Sequence, residues 1–440
     1  MVFPLSTRVN DQNHLEISGC DLVTLAQCYG TPLYIFDELH LRNRAREIRT
    51  LVEQALMKNG VSGGLLLYAT KAYFSPFLAH ILKDAGWGIE VTSEGELEVA
   101  RRVDFPSERI YLHGNNKTPA EIRAAFALGV RHVVVDGLSE IELLNSLADE
   151  LGVQPSVLLR LAPAIDPHTH RYLATGAADS KFGIPLSTGA AMQAARRIMS
   201  FAPRLNLVGL HVHIGSQIFA IEPYYQAAMR IFEFAAELKA GLGIELQELD
   251  WGGGWGVAYT GDQESLSIEA LVEKLGSAFA ANRKPGFRDS GRQLLFEPGR
   301  SLIAQSAVAL YTVGSVKSIA GIRTYVSVDG GMGDNIRPAL YGARYTARAA
   351  NKANSPPVQR VTIAGRYCEQ GDILVQDVDL PAIAAGDLIA IPVAGAYQLS
   401  MASNYNLIPR PAVVAVREGR ARLVRRRETI TDLLGCELDE

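Results

Sequence analysis

Between residues 60 and 300, eight short apolar segments alternate with longer segments of helical periodicity. Alternation of this kind predicts a parallel sheet with crossover helices, and eight is the number of strands that closes a barrel of βα units. The sequence therefore predicts an α/β fold, a (β/α)8 barrel of the TIM-like type. Its strands are expected at residues 65–71, 89–93, 110–114, 132–136, 157–161, 207–215, 248–254 and 294–299.

One of the helical segments has a complete start signal. Thr118 suits the N-cap position, Pro119 suits the first helical position, and Glu121 completes a capping box. These residues predict a helix over 119–128. A further helix is expected at the start of the Ala-rich segment 342–357, running into a loop rich in Asn, Ser and Pro.

The pattern changes after residue 300, where strand-like segments are joined by connections containing Gly, Pro and Asn. This change predicts a C-terminal antiparallel β domain. The extended segment 31–36 is a candidate to pair with it. We therefore predict a barrel domain over residues 37–304 and a β-rich domain formed by residues 1–36 and 305–440. The strands of the β-rich domain are expected at 308–316, 323–329, 358–365, 388–394 and 412–424.

Composition argues against several classes of function. The 440 residues carry a net charge of −4, so neither a nucleic acid nor an anionic membrane is the expected partner. The N-terminal residues show no secretory signal, and no apolar run is long enough to span a membrane. Four irregularly spaced cysteines form neither a zinc-ribbon pattern nor a disulfide framework. We expect a soluble cytoplasmic protein whose thiols are reduced.

Reactive residue types stand at the ends of four predicted barrel strands, where active sites of such barrels are assembled. The first strand ends in Lys71, the sixth in residues 211–216, the seventh in the glycines 252–254, and the eighth in residues 297–300. These four strand ends are therefore the candidate active site.

Taken singly, each of these features has an ordinary explanation. A lysine after a strand is usually just solvated. His211 and His213 point to one side of a strand and could bind a metal, but no third ligand is evident, so packed histidines are preferred and no metal site is predicted. The glycines do not satisfy the dinucleotide pattern G-x-G-x-x-G, because its last position falls on Val257.

Taken together, the four strand ends supply what pyridoxal phosphate needs. They offer an amine for covalent attachment, a flat group to stack on the ring, backbone amides for the phosphate, and a carboxylate for the ring nitrogen. A glycine loop after the seventh strand is also where barrels commonly bind phosphate. The combination predicts pyridoxal phosphate as the cofactor.

A second group of reactive residues lies in the predicted β domain. Cys368 and Glu369 are adjacent in a turn-like sequence, and residues 395–397 and 401–406 follow another strand. A buried cysteine is usually inert packing. The polar, glycine-bearing surroundings of Cys368 predict that this cysteine is not fully buried.

The residues resemble the fold-type III pyridoxal-phosphate decarboxylases, which combine a barrel with a β domain in the manner of alanine racemase. The resemblance covers nearly the whole chain. It is carried by the ordered motifs YATKA (68–72), HGNNK (113–117), DSKFG (179–183), GLHVHIGSQ (209–217), EPGR (297–300), DNIRPALY (334–341), CE (368–369) and GAY (395–397). Within the family, the chain is most similar to the members that act on meso-2,6-diaminopimelate.

The resemblance implies the composition of a cofactor site. Lys71 would hold pyridoxal 5′-phosphate covalently, and His213 would stack on the ring. Glu297 would pair with the ring nitrogen and keep it protonated. The phosphate would be held by Ser216, Gly254, Gly299 and Tyr397.

The resemblance also implies a substrate site and a catalytic acid. Cys368 would protonate the α-carbon after carbon dioxide leaves. meso-Diaminopimelate carries a second carboxylate, which suits an arginine fork, and a second ammonium, which suits a carboxylate. The distal end of the substrate would be bound by Arg300, Arg337, Tyr341, Glu369 and Tyr397.

The implied reaction is the decarboxylation of meso-diaminopimelate to L-lysine and carbon dioxide, the final step of bacterial lysine biosynthesis. The implied active form is a homodimer, in which Cys368 and Glu369 of one subunit reach the active site of the other. The family pattern is broken at two places: Gln370 stands where Ser is common, and Gln398-Leu399 replaces a commoner Gly-Tyr. These departures bear on loop shape and substrate selectivity.

Three alternatives remain open. The substrate could be another diamino acid, such as arginine, ornithine, a D-configured diamino acid or carboxynorspermidine, although a purely cationic tail has little use for Arg300 and Arg337 together. A racemase using the same cofactor is the second. The third is a non-catalytic cofactor-binding relative, which would not need the thiol of Cys368.

Overall fold

The computed structural model describes residues 2–61, 63–166, 180–284, 286–288 and 294–438. Asp179, the first residue of the motif at 179–183, lies outside them. The chain divides into two compact units. The barrel unit comprises residues 45–257 and 265–299, and the β unit comprises residues 1–44, 258–264 and 300–440.

The N-terminal part of the β unit and the barrel unit contribute the first strands and helices. In chain order these are β1 (Arg8–Val9), β2 (Leu15–Ile17), β3 (Cys20–Asp21), α1 (Leu22–Tyr29), β4 (Leu33–Asp37), α2 (Glu38–Lys58), β5 (Gly64–Ala69), α3 (Pro76–Asp84), β6 (Gly88–Val91), α4 (Glu94–Arg102), β7 (Ile110–Leu112), α5 (Pro119–Ala127), β8 (His132–Val135), α6 (Leu138–Leu151), β9 (Ser156–Ala162), β10 (Ile184–Pro185), α7 (Ala190–Met199), β11 (Asn206–Val212), α8 (Glu222–Leu242), β12 (Glu248–Asp250), α9 (Ile268–Asn282) and β13 (Leu294–Phe296).

The remaining elements belong to the β unit. They are α10 (Arg300–Ile303), β14 (Ala307–Ile319), β15 (Arg323–Val328), α11 (Arg337–Tyr341), β16 (Arg348–Ala349), β17 (Gln359–Ala364), β18 (Ile373–Leu380), β19 (Leu388–Pro392), β20 (Ala412–Arg417), β21 (Arg420–Arg425) and α12 (Ile430–Leu434).

The barrel unit contains a closed barrel of eight parallel strands, as predicted. The strands follow the order β5, β6, β7, β8, β9, β11, β12 and β13, and β13 pairs back with β5. The short strand β10 adds to β9 outside the ring. The barrel is filled by inward side chains, as the fold requires. These buried residues are Leu65, Leu67, Tyr111, Val134, Leu158, Val208 and Leu295.

Several predicted barrel strands extend too far at their carboxyl ends. β11 ends at Val212, whereas the sequence predicted a strand to residue 215, and β12 ends at Asp250 instead of residue 254. Gly215, Gly252 and Gly254 have positive φ angles of 154°, 62° and 88°, which extended L-residues do not adopt. The strands therefore stop where the loops bearing the reactive residues begin.

The predicted capping box at the start of α5 is confirmed. The Thr118 side chain accepts a hydrogen bond from the Glu121 backbone N–H, and the Glu121 side chain accepts one from the Thr118 backbone N–H. Both contacts satisfy backbone donors that the first turn of a helix leaves without partners.

The β unit is built on a mostly antiparallel sheet whose strand order is β18, β17, β15, β14, β4, β20 and β21. The prediction that the N-terminal segment joins this sheet is confirmed, since β4 pairs antiparallel with β14 and parallel with β20. β19 pairs with β14 and β16. The strands bury a common apolar core that includes Leu33, Ile35, Val308, Leu310, Ala390 and Val414.

Two predictions for the β unit are wrong. The segment 412–424 is a hairpin, not one strand, because Glu418 and Gly419 turn the chain with φ angles of 50° and 75°. The segment 342–357 contains no helix: α11 ends just before it, at Tyr341, and Gly342 is its C-cap residue. The alanines of this segment pack instead into the sheet core, where Ala350 and Ala353 are buried.

None of the helices in the described residues combines the length and the apolar character needed to cross a membrane.

Candidate active site

Lys71 follows the first barrel strand directly, in the short turn Thr70–Ala72. The Thr70 hydroxyl donates a hydrogen bond to the backbone carbonyl of Glu90, at 2.7 Å, and so fixes this turn against β6. The Lys71 ammonium donates to the Glu90 carboxylate. The Lys71 side chain remains 47% exposed while that of Glu90 is 2% exposed, so the amine is accessible and its counter-ion is not.

Glu90 was not identified from the sequence, although a lone carboxylate inside the apolar strand β6 was a usable signal. Burial, together with the neighbouring charge of Glu297, raises the pKa of Glu90 to about 7, and Lys71 opposes this shift. Glu90 is therefore a buried acid that can gain or lose a proton near neutral pH.

Glu297 lies at the end of β13 and contacts two histidines. Its Oε2 atom is 3.2 Å from His211 Nε2, and its Oε1 atom is 3.1 Å from His113 Nε2 without forming a hydrogen bond. Burial lowers the pKa of both histidines well below the usual value, so they are neutral. Because neither histidine carries a positive charge, the Glu297 carboxylate can still pair with a cationic group.

The structure corrects one step of the sequence interpretation. The sequence offered no third ligand beside His211, but His113, His211 and Glu297 place one ligand atom each within 4.8 Å of one another, which is close enough to hold a metal ion. His213, the other predicted histidine, is not part of this group. The three residues are far apart in sequence and meet only because β7, β11 and β13 end at the same rim of the barrel.

Asp250, at the end of β12, is a further buried acid. The Gly252 backbone N–H donates to its Oδ1 atom at 2.9 Å, whereas its Oδ2 atom has no hydrogen-bond partner among the described residues. Burial and the charge of Glu297 raise the pKa of Asp250 well above its usual value. With Glu90, Asp250 and Glu297 in one interior, a cationic group bound there would relieve repulsion between carboxylates.

His213 presents its ring at the loop after β11. Its Nδ1 atom accepts a hydrogen bond of 3.1 Å from the Gly253 backbone N–H, which places the ring proton on Nε2. Burial, then the charge of Lys71, lowers the pKa of His213 well below its usual value. The side chain is therefore a neutral flat ring in a fixed orientation, suited to stacking.

The glycines at the strand ends form a close-packed cradle. A Cβ atom at Gly254 would lie 1.9 Å from the Gly215 carbonyl oxygen, and one at Gly253 would lie 2.1 Å from the Glu297 carbonyl oxygen. At Gly299 it would meet the Ala69 Cβ at 2.8 Å. Only glycine allows the loops after β11, β12 and β13 to approach this closely, which brings backbone groups to one place as phosphate binding requires.

These features fit pyridoxal phosphate. The barrel supplies an accessible amine at Lys71, a neutral ring at His213 and a glycine cradle. It also supplies a buried carboxylate at Glu297, whose Oε1 atom has no hydrogen-bond partner among the described residues. Ser216, predicted to contact the phosphate, is half-buried in the same loop as Gly215. Tyr397, the remaining predicted phosphate ligand, belongs to the β unit.

Within the β unit, the two predicted arginines lie in a common aromatic cluster. Arg300 and Arg337 are both buried. The guanidinium carbon of Arg300 is 4.5 Å from the centre of the Tyr397 ring, and that of Arg337 is 5.7 Å from the same ring. Arg337 also lies 5.4 Å from the Tyr341 ring. The structure thus brings four predicted substrate residues together.

Two tyrosines that the sequence analysis missed complete this cluster. Tyr259 accepts a hydrogen bond of 2.6 Å from Arg300, and Tyr345 accepts one of 3.1 Å from Arg337. Burial alone would lower the pKa of Arg337, but the surrounding phenols, Tyr259 first, raise it above its usual value. Arg337 therefore remains cationic, and two buried guanidinium groups are suited to an anionic ligand.

Tyr397 is held in an unusual backbone conformation. Its φ angle is 60°, a value that bulky residues rarely adopt. The preceding Gly395 is required, since a Cβ atom there would lie 2.0 Å from the Ile303 carbonyl oxygen. The following Gln398, one of the departures from the family pattern, is fully buried and accepts a 2.8 Å hydrogen bond from the Tyr34 hydroxyl.

Cys368 and Glu369 lie elsewhere in the β unit, on an exposed loop between β17 and β18. The Cys368 backbone N–H donates to Asn406 at 3.1 Å, and the Tyr405 hydroxyl donates to Glu369 at 2.6 Å. Cys368 is exposed, as the sequence predicted. Among the described contacts of the chain, neither residue touches the arginine pair.

Comparisons with known proteins agree with this chemistry. A family model described as "Pyridoxal-dependent decarboxylase, pyridoxal binding domain" matches residues 46–304. The diaminopimelate decarboxylase of Bacillus subtilis is 43% identical over 434 residues, which cover 98% of this chain and 97% of the relative. That of Mycobacterium tuberculosis is 41% identical over 446 residues, covering 99% of this chain and 98% of the relative. The solved structure of the diaminopimelate decarboxylase from M. jannaschii in co-complex with L-lysine has a TM-score of 0.91 at 32% identity, covering 100% of this chain and 99% of that one.

Proposed function

Because the chain belongs to the pyridoxal-dependent decarboxylases, we propose that its residues carry out the decarboxylation of meso-2,6-diaminopimelate to L-lysine and carbon dioxide. The chain is an enzyme that uses pyridoxal 5′-phosphate. The observation that carries the choice of substrate is the buried pair Arg300 and Arg337 in a cluster of tyrosines. Two desolvated guanidinium groups suit a carboxylate far from the reacting carbon, which ornithine and arginine lack.

The barrel residues would hold the cofactor. Lys71 would provide the amine for covalent attachment, and His213 would stack on the ring. The Glu297 carboxylate would pair with the ring nitrogen and keep it protonated. The phosphate would be held by Ser216, Gly254 and Gly299, together with Tyr397 of the β unit. When bound, pyridoxal phosphate supplies an electron sink for the electron pair left as carbon dioxide departs.

The β-unit residues would hold the substrate and return a proton. Arg300 and Arg337 grip the distal carboxylate, with Tyr341 and Tyr397 beside them, and Glu369 binds the distal ammonium. Binding at this distal end orients the bond between the α-carbon and the departing carboxylate. The Cys368 thiol then donates its proton to the α-carbon.

We further propose that the active form is a cytoplasmic homodimer. Cys368 and Glu369 are exposed on their own chain, which fits residues that act in the site of a partner subunit. Each predicted domain would have its own role. Residues 37–304 would bind the cofactor, and residues 1–36 and 305–440 would complete the active site and form the dimer interface.

The test is carbon dioxide release from meso-diaminopimelate by the purified protein with added pyridoxal phosphate, with the second product identified. Stoichiometric L-lysine is the expected result. Parallel assays with ornithine and arginine provide the comparison. Faster release from either of them than from meso-diaminopimelate would overturn the substrate assignment while leaving the cofactor chemistry in place.

Glu297→Gln is expected to lower kcat by about 100-fold, because a neutral amide cannot hold a proton on the ring nitrogen and the electron sink is weakened. The cofactor should still attach, since Lys71 is unchanged. Initial rates at saturating substrate, together with the absorbance of the attached cofactor, measure both effects. Glu222→Gln, at the start of α8, is the control for loss of a carboxylate elsewhere on the barrel. A kcat close to that of the unmodified enzyme would show that Glu297 does not act on the ring nitrogen.

A further inference from the structure

Tyr259 occupies the centre of the arginine and tyrosine cluster. It lies in the short segment 258–264, which belongs to the β unit although the residues on both sides of it in sequence belong to the barrel unit. Its hydroxyl oxygen accepts the 2.6 Å hydrogen bond from Arg300. Its ring centre is 5.6 Å from the Arg337 guanidinium carbon and 5.0 Å from the Tyr345 ring, edge to face. Tyr259 therefore touches both cations.

The buried arginine pair carries an electrostatic cost. Two guanidinium groups are removed from water within one cluster, which costs free energy for each ion and adds repulsion between them. Ring faces and phenol oxygens offset part of this cost. A carboxylate bound between the arginines would offset more of it. The Tyr259 hydroxyl orients Arg300 without supplying the negative charge that a bound carboxylate would bring.

We propose that Tyr259 is a substrate-positioning residue, whose protonated phenol orients Arg300 to receive the distal carboxylate of the substrate. This inference rests on the proposed function and deepens it. Removing the hydroxyl should weaken binding of ligands that carry the distal carboxylate. Removing the proton should also weaken it, because a phenolate already neutralises one of the two cations.

The charges around Tyr259 favour loss of its phenol proton, so an assay at alkaline pH can detect that loss. Burial raises the pKa of Tyr259, but the charges of Arg300 and Arg337 outweigh burial and bring the pKa below its usual range. Tyr345, on the other side, has its pKa raised by burial to about 12 and keeps its proton. Asp262, the nearby acid of the same segment, is exposed and lies 3.4 Å from Arg344. Affinity for the distal carboxylate should therefore fall as pH rises through the pKa of Tyr259.

The experiment compares Tyr259→Phe with the intact holoenzyme in the decarboxylation of meso-diaminopimelate. The variant keeps the ring and loses only the hydroxyl. At neutral pH, KM should rise about tenfold, the value expected for one hydrogen bond to a charged group, with a smaller change in kcat. The inhibition constant of L-lysine, which retains the distal carboxylate, should rise in parallel. That of pentane-1,5-diamine, which lacks it, should not.

The pH profile separates positioning from a structural role. In the intact enzyme, KM should increase on the alkaline side, and in Tyr259→Phe this increase should vanish. Tyr345→Phe is the matched control, since it removes a phenol that also bonds an arginine but does not ionise in this range, so the alkaline increase should persist. A second measurement needs no turnover. The tyrosinate absorbance that is present in the intact enzyme and absent in Tyr259→Phe reports ionisation of Tyr259. This absorbance should appear at higher pH when L-lysine is bound.

The outcomes are distinguishable. If the intact enzyme releases no carbon dioxide from meso-diaminopimelate, the proposed function fails and this inference fails with it. If the intact enzyme is active but Tyr259→Phe retains both its KM and the alkaline increase, the proposed function stands and the role of Tyr259 is refuted. An equal loss of affinity for the diamine would also refute it, because the effect would then not depend on the carboxylate.

Discussion

Lys71→Ala is expected to lower kcat by at least about 1,000-fold and to abolish covalent attachment of the cofactor. The amine at this position is the group that would form the bond, and methyl cannot replace it. The amine is accessible in a turn anchored to β6, and its counter-ion is a buried carboxylate whose own pKa is raised to about 7. Mass spectrometry of the chain after borohydride reduction measures attachment, and carbon dioxide release measures kcat.

The control for this variant is Lys239→Ala, which removes an ammonium from α8 whose partner is Glu245 at 2.7 Å. It should keep both the attached cofactor and its rate, since the ion pair of Lys239 in the described part of the chain is with Glu245 and not with a residue of the cofactor site. Retention of the covalent adduct by Lys71→Ala would show that another amine carries the cofactor, and the assignment of the barrel site would have to be rebuilt around that residue.

Cys368→Ala is expected to lower kcat by about 100- to 10,000-fold, the range usual for loss of a general acid. Cofactor attachment should be intact, because Cys368 lies in the β unit on an exposed loop. The same assays measure both quantities. Cys28→Ala is the matched control, since Cys28 is also a free, exposed thiol of the β unit but lies on α1. Turnover that survives the removal of Cys368 would mean that a different group protonates the α-carbon.

Mixing the two inactive variants tests the proposed dimer. If Cys368 serves the partner subunit, a heterodimer of Lys71→Ala and Cys368→Ala contains one site with both functional residues. Random reassociation should then restore about a quarter of the activity of the unmodified enzyme, because half of the dimers are mixed and each has one working site. No recovery after demonstrated exchange of subunits would place Cys368 in the site of its own chain.

The features predicted correctly from the sequence are those encoded by local patterns. The eight barrel strands follow from runs of apolar residues, and the start of α5 follows from Thr118, Pro119 and Glu121, which lie within four positions of one another. Lys71 was identified because it follows a barrel strand, and the carboxyl ends of barrel strands carry the active site. The roles assigned to Arg337 and Cys368 came from the family resemblance and not from any local pattern.

The features that were missed depend on contacts between distant residues. Tyr259 becomes notable only because Arg300 and Arg337 are beside it, and no spacing in the sequence links these three positions. The group of His113, His211 and Glu297 is assembled by barrel closure. The Ala-rich segment 342–357 was assigned from composition, but burial in the sheet core overrides the helical preference of alanine there.

The position of β4 has a consequence for how the chain is made. This strand, only a few dozen residues from the N-terminus, pairs on one side with β14 and on the other with β20, which is synthesised almost 400 residues later. As the polypeptide leaves the ribosome, both edges of this apolar strand lack their pairing partners until the entire barrel has been translated. The nascent chain thus carries an unpaired, aggregation-prone edge for most of its synthesis. Because β4 can pair only after this long loop closes, we expect the β unit to fold late.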